Sequence, residues 1–145
     1  MSLDGNYDDD NIFAKIIRGE APAVKVYEDD AVLAFMDVFP QSPGHMLVIS
    51  KTSRARNIMD AEPEVLAALI AATQKLVRAQ RAALNPDGIV VTQFNGAPAG
   101  QTIFHLHFHL IPRWEGVPLG RHGAGGMADM GELAKQAAQI AAKLA

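Results

Sequence analysis

Residues 105–111 read His105-Leu106-His107-Phe108-His109-Leu110-Ile111, so three of the chain's five histidines stand at alternate positions with large apolar residues between them. Successive side chains of a β-strand point to opposite faces, and this spacing predicts a strand with all three imidazoles on one face. Leu106, Phe108 and Leu110 then point the other way, into a core. Imidazole can accept, donate or attack near neutral pH, which makes a row of three a candidate reaction surface.

The neighbouring segments supply a sheet for that strand. Val24 to Glu28 alternates as a strand, Asp29-Asp30 turns, and Ala31 to Met36 reads as a second, more apolar strand. Phe39 to Gly44 carries two prolines and a glycine and is a loop, followed by a third strand over His45 to Ser50. Ile89 to Asn95 is a fourth, joined to the histidine strand by the small-residue loop Gly96 to Gly100. Asp10 is placed to cap a short helix carrying Ile12, Phe13, Ile16 and Ile17, with Gly19 as its stop. Glu62 to Leu84 has helical apolar spacing at Val65, Leu66, Leu69, Ile70, Leu76 and Val77, and Pro63 fits its first turn. Gly116 to Gly126 is irregular, and Asp129 to Leu144 is an alanine-rich final helix. Strands joined mostly by turns, with one long and one short helix plus a C-terminal helix, indicate α+β with an antiparallel five-stranded sheet.

Composition narrows the function classes. A chain of 145 residues is one domain by length. Residues 1–10 read as an acidic, disordered tail, residues 11–145 as a single domain with an extension from about 115. A net charge of -3 gives no basic field for nucleic acid. There is no cysteine for a disulfide, a thiolate nucleophile or a Cys-ligated zinc. No apolar run has the length of a membrane span, and the acidic N-terminus is unlike a signal peptide, so a cytoplasmic protein is expected.

A metal site is the plain alternative for the histidine row. Adjacent members lie about 6.6 Å apart along a strand and can share an ion, but His105 and His109, about 13 Å apart, cannot. No carboxylate or thiolate stands near them in sequence. Upstream, Asn95, Gly96, Gly100, Gln101 and Thr102 form a loop whose small residues allow backbone N–H groups to approach a ligand, which suits an anionic, phosphoryl substrate. Glycine-rich loops are more often plain turns, so this signal draws its weight from the histidines beside it.

His105 to Ile111 resembles the His-φ-His-φ-His-φ-φ signature (φ apolar) of the histidine-triad, or HIT, family at every position. Gly100-Gln101-Thr102-Ile103-Phe104 is similar to that family's lead-in, and Asn11 to Glu20 and Phe35 to Ile49 agree as well. The resemblance spans about Asn11 to Arg113 and is nearest the Hint-like nucleotide-binding branch. It implies a homodimer in which two sheets join edge to edge into ten strands. It also implies a purine nucleotide as partner, with hydrolase or nucleotidyl-transfer chemistry at the α-phosphorus. His107 is then the nucleophile, His109 and Thr102 contact the α-phosphate, His105 supports the arrangement and His45 belongs to the pocket. Asn95, Gly100 and Gln101 fall on the phosphate or ribose side. Asp37 matches the carboxylate that holds the ribose hydroxyls, and Ile12, Phe13, Ile16, Phe35 and Val38 fall where the family lines its base pocket.

Each of these has a duller counterpart. Asp37 could cap the turn into Pro40, and His45 could satisfy a loop. Trp114 either packs the tail or flanks a leaving group, and His122 between glycines is expected in solvent. Ile111-Pro112-Arg113-Trp114 resembles the ending of dinucleoside-polyphosphate hydrolases, and the tail from Glu115 to Ala145 has no counterpart in the short Hint ending. The metal-holding residues of some members are absent, so no metal and no cofactor is expected. A phosphoramidase is the leading reading, with a dinucleoside polyphosphate hydrolase or a regulatory nucleotide-binding module as alternatives.

Overall fold

The computed structural model describes residues 3–120 and 126–144, so His122 lies outside the described residues. The strands are β1 (Lys25–Glu28), β2 (Val32–Met36), β3 (Met46–Ser50), β4 (Gly88–Thr92) and β5 (His107–Arg113). They form one antiparallel sheet in the order β1-β2-β3-β5-β4. The helices are α1 (Ile12–Ile17), α2 (Pro63–Leu84) and α3 (Met130–Ala141). The α+β class, the antiparallel five-stranded sheet and the three helices are as the sequence predicts.

Strand alternation divides the sheet into two apolar faces. Val32, Ala34, Met36, Met46, Val48, Phe108 and Leu110 join Leu69, Leu76, Leu133 and Ile140 in the main core under α2 and α3. Leu33, Phe35, Leu47 and Ile49 point the other way and meet Phe13 and Ile16 of α1. Both faces of β2 and β3 are therefore dry, and both strands read as continuous apolar runs. The register pairs Ile49 with His107 and Leu47 with His109, which puts these two histidines on the α1 side.

Local differences from the sequence reading have identifiable causes. His105 lies before β5, because the chain bends through residues 103–105 and the Leu106 N–H donates to the Ala55 carbonyl at 2.9 Å. Asn11, not Asp10, caps α1, accepting the Ala14 N–H at 2.9 Å. The buried stripe of α2 runs Leu69, Ala72, Thr73, Leu76, Ala79 and Gln80, which turns Ile70 out to solvent. Residues 3–10, read as a disordered tail, lie against the body. Asn57 donates to the Leu3 carbonyl at 3.0 Å, and Arg54 both pairs with Asp9 and stacks over the Tyr7 ring. The C-terminal extension packs into the main core through Leu133, Ala137 and Ile140.

Gly44 closes the loop into β3. Its φ is +82°, and a Cβ there would stand 2.3 Å from Leu84 Cδ1. Its carbonyl accepts from the buried Gln80 amide at 2.9 Å, and the same nitrogen donates to the Leu110 carbonyl at 3.1 Å. Loop, α2 and β5 are thereby held at one point. Gly44→Ala is expected to cost roughly 1–3 kcal/mol of stability from backbone strain and overpacking, read by denaturant unfolding. An unchanged midpoint would show that the loop absorbs the methyl.

Candidate active site

The α1-side face of the sheet opens into a cavity of about 620 Å³. Of the residues expected to form a site, Ile12, Phe13, Ile16, Phe35, Asp37, Val38, Thr102, His107 and His109 line it. The apolar walls come from α1 and β2, and the polar groups gather where β5 starts. A second cleft of about 360 Å³ near Pro40 and Gln136 carries none of the histidines.

The hydrogen-bond partners assign a proton to one nitrogen of each imidazole. A carbonyl only accepts, so His107 Nδ1 donates to the His105 carbonyl at 2.7 Å, and Nε2 at the opposite end of the ring carries the lone pair. His105 Nε2 donates to the Ser50 carbonyl at 3.0 Å, which leaves its Nδ1 to accept the Tyr7 hydroxyl at 2.6 Å. Burial pushes the His105 pKa down from 6.5 to about 4, so the ring is neutral at neutral pH. The Gln41 N–H donates to His45 Nδ1 at 3.0 Å, so the His45 proton sits on Nε2. That proton faces His109 Nδ1 at 3.0 Å, with Asp37 Oδ2 at 3.4 Å from the same nitrogen. His109 is left with its own proton on Nε2. Within the cavity, then, one imidazole presents a lone pair and its neighbour a donor, with ring centroids 5.1 Å apart.

Ring contacts hold this pair in place. Phe13 meets His107 edge-on at 4.9 Å, and Phe94 tilts against His109 at 5.4 Å. Asp37 does what the turn reading expects, accepting the Phe39 N–H at 2.8 Å through Oδ1, while also lining the cavity. His45 and His105 stand behind the lining and act on it through their bonds to His109 and His107.

The upstream loop departs from expectation. Gln101 Oε1 accepts the Gly96 N–H at 2.8 Å, and its amide donates to the carbonyls of Arg56 and Ile103. Asn95 Oδ1 accepts from Ile58 N–H and Gln93 Nε2. The N–H groups of Ala99, Gly100 and Gln101 donate to carbonyls within the loop. Asn95, Gly100 and Gln101 therefore shape the loop rather than line the cavity, and Thr102 is its polar contribution to the walls. The compact turn at Ala97–Ala99 consumes the donors that sequence reading assigned to a ligand.

Sequence reading also missed residues. Tyr7 reaches His105 across 98 positions, and Met127 and Met130 line the cavity from the C-terminal extension. Neither carries a spacing that marks it in advance.

A family model described as the HIT domain matches residues 18–116, most of the chain. The chain belongs to the HIT family. A crystal structure of a Hit-like protein from Bartonella henselae matches it with a TM-score of 0.91 at 49% identity, covering 96% of this chain and 99% of that one. The adenylylsulfatase HINT3 of Arabidopsis thaliana is 38% identical over 137 residues, 90% of this chain and 66% of that protein. A zinc-bound histidine triad family protein from Mycobacterium smegmatis has a TM-score of 0.81 at 34% identity, with 93% of each chain covered.

The last of these raises the question of a metal here. Asp37, His45 and His109 each offer a buried ligand atom, all within 4.8 Å of one another, a donor set suited to a divalent cation. The carboxylate comes from the end of β2, which is why the sequence neighbourhood of the histidines did not show it. Those same atoms form the His45–His109 relay, so a cation would have to displace the shared proton.

His105 gives the site a pH dependence with a definite sign. The unfolded chain binds a proton at His105 below pH 6.5 and the folded chain only below about pH 4, so acid favours unfolding between those values. Stability is expected to be fully present above pH 6.5 and to fall by on the order of 3 kcal/mol by pH 4. Denaturant unfolding across that window checks it, and His105→Asn should flatten the slope; a flat wild-type profile would refute the burial argument.

Proposed function

We propose that this chain is a nucleotide-binding hydrolase or nucleotidyl transferase acting on purine nucleoside monophosphate conjugates, of phosphoramidase type. The observation that carries the reading is the assignment of protons at the cavity: a lone pair on His107 Nε2 beside a donor on His109 Nε2. His107 Nε2 attacks the α-phosphorus, a P–N bond forms, and the bond to the leaving group breaks. His109 supplies the proton that an amine leaving group requires. Water then attacks the phosphorus, returns a proton to His109 and releases the nucleoside monophosphate with His107 restored. Thr102 donates to a phosphoryl oxygen, and Asp37, which lines the cavity, accepts from the ribose hydroxyls in addition to its contacts with the Phe39 N–H and His45.

Two features support the substrate class. The cavity is apolar along α1 and β2 and polar at β5, which fits a flat base joined to an anionic group. The plant relative is named as an adenylylsulfatase, which favours an adenylyl conjugate. The Ile111-Pro112-Arg113 ending favours a second reading, a dinucleoside polyphosphate as substrate. Assays with a nucleoside phosphoramidate and diadenosine tetraphosphate side by side separate the two.

His107→Ala is expected to lower kcat by at least about a thousandfold while the affinity for adenosine monophosphate changes by less than about threefold, because the nucleophile serves the chemical step. The mechanism requires no metal, so wild-type turnover of the phosphoramidate should survive exhaustive chelation. Turnover within tenfold of wild type in the variant, or activity lost on chelation and restored by stoichiometric zinc, would overturn it.

The proposal includes a homodimer joined through β4. That strand is an edge of the sheet, and Val91 on it is 45% exposed, an apolar edge that pairing with a second copy would cover. Light scattering at micromolar concentration is expected to give twice the chain mass; a mass of 15.5 kDa would count against the dimer.

A further inference from the structure

We propose that Met127 and Met130 form the outer wall of the base subsite and give the site its preference for a two-ring base. The inference rests on the nucleoside monophosphate reading of the cavity and adds the group that selects the base.

Both methionines line the cavity, yet they are 64% and 46% exposed. Ile12, Pro22 and Phe39, also lining it, are exposed as well. Apolar groups gathered at one opening favour a ligand that covers them. Their backbone is fixed from three directions. The Ala128 N–H donates to the Val38 carbonyl at 2.9 Å, Asp129 caps α3 by accepting the Glu132 N–H at 2.9 Å, and Leu133, Ala137 and Ile140 bury α3 in the main core. None of these contacts uses the methionine side chains, so the core does not account for their position.

Geometry then ties the wall to the base. Ala128 is bonded to Val38, the residue next to Asp37, so the wall stands immediately beyond the carboxylate assigned to the ribose. A base leaving the sugar on that side runs between α1 and the methionines, and a second ring carries it to the rim. A thioether adapts to an aromatic face and gains contact energy from it.

Calorimetry with adenosine monophosphate, cytidine monophosphate and ribose phosphate tests this on the wild-type chain, on Met127→Ala/Met130→Ala and on Met127→Leu/Met130→Leu. The alanine pair is expected to weaken adenosine monophosphate by about tenfold, cytidine monophosphate by less than about threefold and ribose phosphate not at all, with unchanged thermal unfolding. The leucine pair should restore adenosine monophosphate to within about threefold of wild type. If the wild type binds adenosine monophosphate and the alanine pair binds it equally well, or loses all three ligands alike, the wall has no role in base selection. If the wild type binds neither nucleotide, the nucleoside reading itself falls and takes this inference with it.

Discussion

A backbone carbonyl can only accept a hydrogen bond, and the chemistry of this site is organised by that fact. The His105 carbonyl takes the Nδ1 proton of His107, and the Ser50 carbonyl takes the Nε2 proton of His105. One backbone amide, from Gln41, does the converse at His45 and so directs a proton toward His109. Main-chain groups of β3, the bend before β5 and the loop between β2 and β3 thus decide which nitrogen of each ring is basic. Peptide groups neither titrate nor rotate away, so the assignment holds wherever the rings stay neutral. For His105, burial ensures neutrality down to about pH 4.

The sheet makes this arrangement affordable by separating two tasks on its faces. Phe108 and Leu110 fill the main core beneath α2 and α3, while His107 and His109 on the same strand face α1. β5 is hydrogen-bonded on both edges, to β3 and to β4, so its register is held on two sides. A slip of one residue would exchange histidines for core residues. The apolar burial that stabilises the strand is therefore the same constraint that points the nucleophile of the proposed reaction into the cavity. Gln80 reinforces it by holding the Gly44 loop against the Leu110 carbonyl.

Alternation and turn chemistry made much of this legible. The period-two pattern of residues 105–111 placed His107 and His109 correctly because both sit within a strand with one dry face. At His105 the face holds but the strand does not: Leu106 still points into the main core and the His105 ring meets Phe13. The bend preceding β5, tied by a long-range bond to Ala55 that no local pattern records, leaves His105 outside the strand. The loop from Gly96 to Thr102 was legible as a turn but not as a self-satisfied one. The sequence shows that donors exist, and only the fold shows that Gly96, Ala99, Gly100 and Gln101 spend theirs internally. Ile70 shares the helical apolar spacing of α2 yet faces solvent, because α2 has more apolar residues than its buried stripe holds and packing selects among them. Tyr7 and the pair Met127 and Met130 act across the chain, and contact at that range leaves no trace in spacing.

These distant contributors all lie outside the stretch that matches the HIT model. The stretch that matches the HIT model, residues 18–116, contains Asp37, His45, Thr102 and the histidine row. Tyr7, Ile12, Phe13 and Ile16 precede it, and Met127 and Met130 follow it. The groups that set protonation lie mainly inside the matched stretch, and much of the apolar enclosure lies outside it. Tyr7 is the exception that joins the two, because its hydroxyl bonds to His105 one carbonyl away from His107. In the proposed reading, substitutions in the C-terminal flank change which base the cavity encloses without disturbing the nitrogen that attacks. Substitutions at Tyr7 reach that nitrogen through the His105 backbone, so the two flanks act on different terms of the same reaction: one on binding, the other on the orientation of the nucleophile.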